Sequence, residues 1–397
     1  MNDISKEWKI RALTPIWTGD ADREENRLIP TGIVGSLRWW FEVLVRGLGG
    51  KACDPTVDGV RCPDKNVKNP YDPGQHCVVC EFFGCTGWAR KFRLMVVNEN
   101  GTIIQGQIKD GQIFILRFIP LRLIRDEEWC LLDATLRLIA DYGAIGGKTV
   151  FKPSEEWGIA DLGADDLDDS NGQVKVKQSR RGLPLQRDDV ILEVEGVSVT
   201  SKSSLEQLLI GKQHGEPLKI KIRRSKGDEE EINAWAGKRH HRDFGLISIE
   251  ERPQNVCCNR EVAETYVQQA QWRRNFDDSA FAWASLQNFW CVKGRYLTRT
   301  FPNASSFNKV IGRNQLKANG QNLFQNTEAN RWLAGRQQES KKVFSFKHRR
   351  ENGRTFGFVK PGLVDFDEMK RRLKQVWPNF EPDNEFQTGE QILNELF

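Results

Sequence analysis

Apolar and polar positions alternate from residue 7, in EWKIRALTPIW (7–17), and this predicts a first strand. A charged loop, TGDADREENR, follows. In PTGIVGSLRWWFEVLVRGLGG the period changes to helical: Ile33, Val34, Leu37, Trp40, Phe41, Leu44 and Leu48 share one face. Thr31 is placed to cap this helix, and Gly47, Gly49 and Gly50 stop it. Its opposite stripe carries Arg38, Glu42 and Arg46. Residues 51–76, rich in Pro, Asp, Asn and Gly, read as loop. Two strand-like runs follow, RKFRLMVV and QIFILRFIPLRLI, and then a helix over 126–142. Trp129, Leu132, Leu136 and Ile139 line one face of that helix. Asp126, Glu127 and Glu128 sit where the helix dipole favours acid. Strand, helix, strand, strand, helix is most of a split βαβ unit.

Between 157 and 239 the pattern becomes that of a separate β-rich module. A strand, a tight Glu-Gly turn, a short strand, an amphipathic helix and a final strand can be read within GLPLQRDDVILEVEGVSVTSKSSLEQLLIGKQHGEPLKIKIRR. The segment HHRDFGLISIEERP then returns to the host strand pattern. Beyond residue 255 the chain is mixed. REVAETYVQQAQWRRNF predicts a helix, SAFAWASLQNFW is apolar and aromatic, and 365–377 predicts another helix. The fold class expected is α+β.

Composition adds to this picture in a few places. The 397 residues suffice for two or three domains with real cores. No run of eighteen apolar residues predicts a membrane span, and MNDISKEWKIRAL has no apolar signal core. A cytoplasmic protein is therefore expected, its nine cysteines mostly reduced. The net charge of +5 says little, but its placement is uneven. Acid concentrates at 155–169 and base at 331–354. Thirteen Trp and twenty-two Phe against four Tyr, interleaved with base, suit single-stranded nucleic acid.

Three candidate chemistries follow. DYGAIGGKTVF (141–151) ends like a nucleotide-phosphate loop, but its glycine spacing is one residue short, a helix precedes it and Pro153 follows. Gly143 then reads as a helix C-cap. Gly146, Gly147, Lys148 and Thr149 are candidates for the phosphates of an RNA strand. The second chemistry is metal binding. Cys53, Cys62, Cys77 and Cys80 lie in a loop that has no core, and a tetrahedral, structural zinc is the natural staple in a reducing compartment. His76 and Cys85 are spare candidates for the fourth ligand. Cys130, Cys257, Cys258 and Cys291 read as scattered core cysteines. The third is catalysis, and no catalytic motif stands out. His240 and His241 read as a polar turn, with acid–base RNA cleavage as the alternative. Asp165, Asp166, Asp168 and Asp169 read as a solvated linker.

Taken together, TPIWTGD, PTGIVGSLRWWFEVLVRGLGG, CVVCEFFGCTGWARKFRL and LRLIADYGAIGGKT resemble the RAMP superfamily of CRISPR proteins. Within it they are most similar to the first subunits of the Cmr module, the type III-B effector complex. The resemblance covers 10–150, resumes at DFGLISIEE (243–251) and is loose around KGRYL and RTFGFV. It implies two ferredoxin-like (RRM-like) domains facing each other across a basic cleft, the first over 1–156 plus 240–254 (with the zinc loop at 51–85) and the second over 255–397. It implies a non-catalytic subunit at the head of the effector, near the 3′ end of the guide RNA, that helps capture target RNA alongside other subunits. The RNA-contact candidates it implies are Arg23, Arg27, Arg38, Trp39 and Arg46, with Arg90 and Lys91 and the glycine-loop residues Gly146, Gly147, Lys148 and Thr149. The alternatives are a metal-independent RAMP endonuclease that processes guide RNA and an adaptor that recruits a protein partner.

In the family the glycine loop runs on directly into a G-x-G strand. Here an insert separates the two. DDVILEVEGVSV and the helix after it resemble a PDZ domain of the bacterial protease-associated kind, which implies a PDZ-like insertion over 157–239. A peptide groove would be bordered by Ser204, Leu205 and Leu208. A purely architectural insert is the other reading.

Overall fold

Alternation in Lys6–Ala12 (β1) buries Trp8, Ile10 and Ala12 and turns the intervening charges outward. The structure is a computed structural model. It describes residues 5–19, 27–55, 57, 59–146, 157–180, 183–212, 216–237, 243–274, 282–298, 306–312, 317–318, 321–322, 327–335, 339–347 and 353–397. After β1 come α1 (Pro30–Gly47), α2 (Val78–Phe83), β2 (Phe92–Val97), β3 (Ile113–Pro120) and α3 (Asp126–Tyr142). The insert contributes β4 (Leu167–Asp168), β5 (Val174–Val176), β6 (Val190–Val194), β7 (Val197–Ser198), α4 (Lys202–Leu209), β8 (Pro217–Arg223) and β9 (Glu229–Trp235). Next are β10 (Ile247–Glu251), α5 (Arg260–Val267), β11 (Phe289–Lys293), α6 (Ser306–Val310), β12 (Lys317–Ala318), β13 (Gln321–Asn322) and α7 (Glu328–Ala334). The chain ends with β14 (Val343–Phe346), β15 (Arg354–Phe358), α8 (Phe366–Val376), α9 (Pro382–Glu385), β16 (Phe386–Thr388) and α10 (Gly389–Leu396).

The class is mixed α/β with antiparallel sheets. One compact unit comprises residues 1–149, 243–296 and 342–397. Its first sheet has the order β10-β1-β3-β2 and its second β14-β15-β11-β16. In both, the first strand in sequence lies between the third and the last. Helix α1 packs against α3, and its Trp40 reaches the second sheet at Phe289 and Phe356. The host strand expected after the insert is present: Ile247 pairs with Ala12.

The other unit comprises 150–242 and 297–341. Its six-stranded sheet runs β4-β5-β6-β8-β9, with β7 paired to β6. The core of this module is made of its own residues, among them Val174, Ile191, Leu205, Leu209, Ile220 and Ala234. The turn between β6 and β7 is Glu195–Gly196, both with positive φ, as a two-residue hairpin requires. The two ends of the module meet. Ala160 N donates to Ala236 O at 2.8 Å, and a Cβ on Gly158 would lie 2.3 Å from Gly237 Cα.

Several local expectations change. Thr31 does not cap α1; Pro30 occupies its first turn, and the Ile29 amide donates to Thr18 Oγ1 at 2.8 Å. Gly143 follows α3 in an extended conformation, so the left-handed cap is absent. Glycine is needed there because a Cβ would meet the Trp40 ring at 2.5 Å. The helix expected over REVAETYVQQAQWRRNF stops at Val267. Cys130 and Cys258 are joined in a disulfide and Cys257 is exposed, so of the four cysteines assigned to cores only Cys291 is a buried free thiol. Asp166 is buried, paired with Arg180 and accepting from the Gly163 amide at 3.0 Å; it belongs to the insert's architecture and not to a solvated linker.

Candidate metal centre and nucleic-acid surface

The loop between α1 and β2 has little regular structure apart from α2, and cysteines occupy its interior. Cys77 begins α2 and Cys80 lies one turn later, so helical geometry brings this pair together. Cys53 and Cys62 come in from the preceding loop. All four are buried, and their sulfurs lie within 4.8 Å of one another, with Cys53 Sγ 3.5 Å from Cys80 Sγ. A tetrahedron with ~2.3 Å metal–sulfur bonds has edges of ~3.8 Å, so the donor set fits a zinc ion without rearrangement of the chain. The electrostatics agree. Burial opposes ionisation of Cys77, but hydrogen bonds from Cys53, Cys62 and Cys80 hold its thiol well below the ordinary range. Cys53, Cys62 and Cys80 are pushed up. Four buried sulfurs this close together are chemically suited to hold a cation.

The spare ligands lie outside this set of four. His76 directs Nδ1 to Gln75 Oε1 and Nε2 to Glu81 Oε2, the latter at 3.1 Å. Cys85 hydrogen-bonds Cys80 from outside and is half-buried.

The polar stripe of α1 turns inward. Arg38 donates from Nε to Glu42 Oε1 at 3.0 Å, from Nη1 to Gly84 O at 2.8 Å and from Nη2 to Cys80 Sγ at 3.2 Å. Arg46 is buried and donates to Ala284 O at 3.2 Å and Ala52 O at 3.3 Å. Lys91 is buried between Glu128, at 2.8 and 2.9 Å, and Glu81, at 2.8 Å. These cations hold the fold's own carboxylates, carbonyls and sulfur, because α1 is covered by the cysteine loop on one side and the second sheet on another. Glu81 shows the consequence: against the cost of burial, His76, Lys91 and Arg122 lower its pKa to about 2.

Trp39 is half-buried, edge-on to Trp40 and Phe358. Arg27 is exposed beside a bridge to Gly106, and Arg90 is half-buried over the Phe92 ring. The Gly146 amide donates to Ser36 Oγ at 3.0 Å, which ties the glycine loop to α1. Arg23, Gly147, Lys148, Thr149, His240 and His241 lie outside the described residues. In the insert, Ser204 is engaged in capping α4 with Ser201, Leu205 is in the core, and Leu208 is half-buried. Of the three groove candidates, Leu208 alone is an apolar side chain near the surface.

One group of cations was missed by the sequence reading. A cleft of about 500 Å³ between the two sheets of the first unit is lined by Arg137, Arg252, Lys293 and Arg354, with Asp141 and Glu250. Lys293 lies 4.0 Å from the centre of the Tyr142 ring. Arg354 is 5% exposed and donates from Nη1 to Ala140 O at 2.6 Å and Gly143 O at 3.4 Å, the open carbonyls at the end of α3. Lys293 and Arg354 lie in KGRYL and RTFGFV, the segments of loose family resemblance, and that was the available signal.

The family model of the RAMP superfamily matches residues 9–151. This part of the chain is similar to the RAMP superfamily. Cmr1 from Pyrococcus furiosus is similar to 36% of this chain and 45% of its own, at 15% identity and a TM-score of 0.23. A chain of the type III-B Cmr-beta complex bound to cognate target RNA is similar over 36% of this chain and 52% of its own, at 14% identity and a TM-score of 0.24. An HtrA-type protease with a decapeptide is similar over 42% of this chain and 43% of its own, at 14% identity and a TM-score of 0.15. This chain thus spans about half the length of each solved relative, and likeness of this size carries no argument about fold or activity. No curated protein matches the sequence. No helix among the described residues is long and apolar enough to cross a membrane.

Proposed function

We propose that this chain is a non-catalytic, RNA-binding subunit of a type III-B CRISPR-Cas (Cmr) ribonucleoprotein effector in the cytoplasm. It sits at the head, near the 3′ end of the guide RNA, and helps capture target RNA. The RAMP match over 9–151 carries this reading. The two sheets support it, since each has the strand order of a ferredoxin-like domain, and a cleft lined by four cations lies between them. The RNA-contact set is Arg23, Arg27, Trp39, Arg90, Gly146, Gly147, Lys148 and Thr149, extended by Lys293. Arg38, Arg46 and Lys91 are assigned to the scaffold, because their charges are already engaged inside it. The test is binding of the purified chain to guide RNA across a salt series. Lys148→Ala and Lys293→Ala should each weaken affinity for any RNA sequence and flatten the salt slope by about one charge. Binding that is absent at low salt overturns the reading. Cleavage of repeat RNA that disappears in the His240→Ala, His241→Ala variant favours the guide-processing endonuclease instead.

The four-cysteine cluster is read as a structural zinc site, which takes the place of a hydrophobic core in the 51–85 loop. Metal analysis should find one zinc per chain, and Cys80→Ser should lose both metal and loop order. A Cys80→Ser chain that stays folded without metal refutes a structural role. The 157–239 insert is read as PDZ-like and as the place where a protein partner is recruited. Its half-buried Leu208 and exposed Ile210 beside α4 favour this reading. A pull-down that finds the same partners after deletion of the insert overturns it.

A further inference from the structure

Four buried thiolates around one zinc ion leave the assembly doubly negative, and burying such a charge without compensation is costly. Two arginines outside the loop, Arg38 partly buried and Arg273 buried, reach these sulfurs. Arg38, on α1, donates to Cys80 Sγ at 3.2 Å. Arg273, in the segment after α5, directs Nη1 to Cys62 Sγ at 4.0 Å, the long end of the range for sulfur. Each guanidinium also holds backbone carbonyls of the loop. Arg38 holds the carbonyl of Gly84, which ends α2. Arg273 holds the carbonyls of Arg61 at 2.8 Å and Gly59 at 3.1 Å, and its own amide donates to His76 O at 2.9 Å. Every loop cysteine is within two residues of one of these contacts or within 4.8 Å of one that is.

We propose that Arg38 and Arg273 are outer-sphere partners of the four-thiolate zinc centre. They donate N–H groups to Cys80 and Cys62, offset the charge of the assembled site and slow the loss of its metal. The inference rests on the zinc reading above. A forked, permanently charged group is needed, because each arginine serves sulfur and backbone carbonyl together. A lysine at either position supplies the charge but not the fork. The role is one of positioning and electrostatics, and it also explains why the arginine of the LRWW helix faces inward.

The test uses the full-length zinc-loaded chain and its cobalt(II)-substituted form. Zinc transfer to an excess of the chelator 4-(2-pyridylazo)resorcinol should be roughly 10- to 100-fold faster in Arg38→Gln, the usual loss when an outer-shell partner is removed. Arg273→Gln, with the longer contact, should show a smaller acceleration. In the cobalt form, loss of the N–H···S bond should move the thiolate-to-metal charge-transfer band to lower energy. Arg38→Lys should restore the release rate in part. A purely structural arginine lowers the melting temperature but leaves the band in place. If Arg38→Gln does not fold, Arg273→Gln and Arg38→Lys carry the comparison. Release rates and bands that match the parent chain overturn the proposal while the zinc reading stands. A parent chain that holds no stoichiometric metal overturns both.

Discussion

Replacing Gly245 by alanine tests how the host domain closes around its insert. Gly245 has a φ of +82°, a region that costs an L-residue about 1–2 kcal/mol. A Cβ there would lie 1.8 Å from Ile145 O, a backbone atom that no rotamer change can move away. The same residue makes two backbone bonds: its carbonyl accepts from Ile145 N at 2.8 Å, and its amide donates to Pro15 O at 2.9 Å. Relieving the clash means parting these backbone segments, and each bond lost costs about 0.5–1.5 kcal/mol net. Together these effects predict a destabilisation of about 2–5 kcal/mol. The matched control is Gly35→Ala. Gly35 is inside α1 and exposed, and a Cβ there would have no atom within 4 Å, so alanine should stabilise by about 0.5–1 kcal/mol. Hydrogen exchange suits a chain of several units, where one global unfolding energy is not defined. The Ile145 amide should exchange roughly 30-fold faster or more in Gly245→Ala under conditions where opening is a rapid pre-equilibrium. A change smaller than about threefold, or a larger destabilisation from Gly35→Ala, refutes the account.

Lys91→Met leaves Glu128 and Glu81 without their shared cation in the interior, and should cost about 3–5 kcal/mol, read as a fall in melting temperature. A loss below about 1 kcal/mol would mean that water replaces the lysine. The fragment 157–237 should fold alone, because among the described residues its core cluster lies within it; a spectrum without amide dispersion refutes this. Gly158→Ala should loosen the joined ends of that module and speed exchange at Ala160, whose amide bonds Ala236 O; unchanged exchange argues against the tight approach. Exposed Cys257 should be alkylated in the native chain, whereas Cys291, its thiol pushed up to about 12 by burial, should react only on unfolding.

Elements whose apolar face packs on one neighbour were legible in the sequence. Helix α3 runs over the residues its periodicity predicts, and the cysteine spacing anticipated a cluster that the fold assembles. Helix α1 was misread on its polar side because it is covered on more than one face. Periodicity assigns Arg38, Glu42 and Arg46 to solvent, and only the tertiary structure supplies the sulfur and carbonyls that make burial tolerable there. The same limit applies to Arg354, whose partners are the end of a helix more than two hundred residues earlier. No local pattern can encode a donor that answers carbonyls so distant in sequence.

The expected break in the glycine loop rests on a different kind of signal. GAIGGKT and DFGLISI each keep the composition of a host segment, and the composition between them changes. The structure gives this a physical form, because both parts are closed at the necks. On the host side Ile145 and Gly245 are hydrogen-bonded, and Gly245 holds Pro15 as well. On the insert side Gly158 and Gly237 pack backbone to backbone, a distance that no side chain would allow. Insertion at such a point costs the host only the entropy of one more loop, which rises slowly with length. Glycine is required at the necks because chain must lie on chain there, and the RNA-phosphate role proposed for Gly146 and Gly147 is added to that requirement.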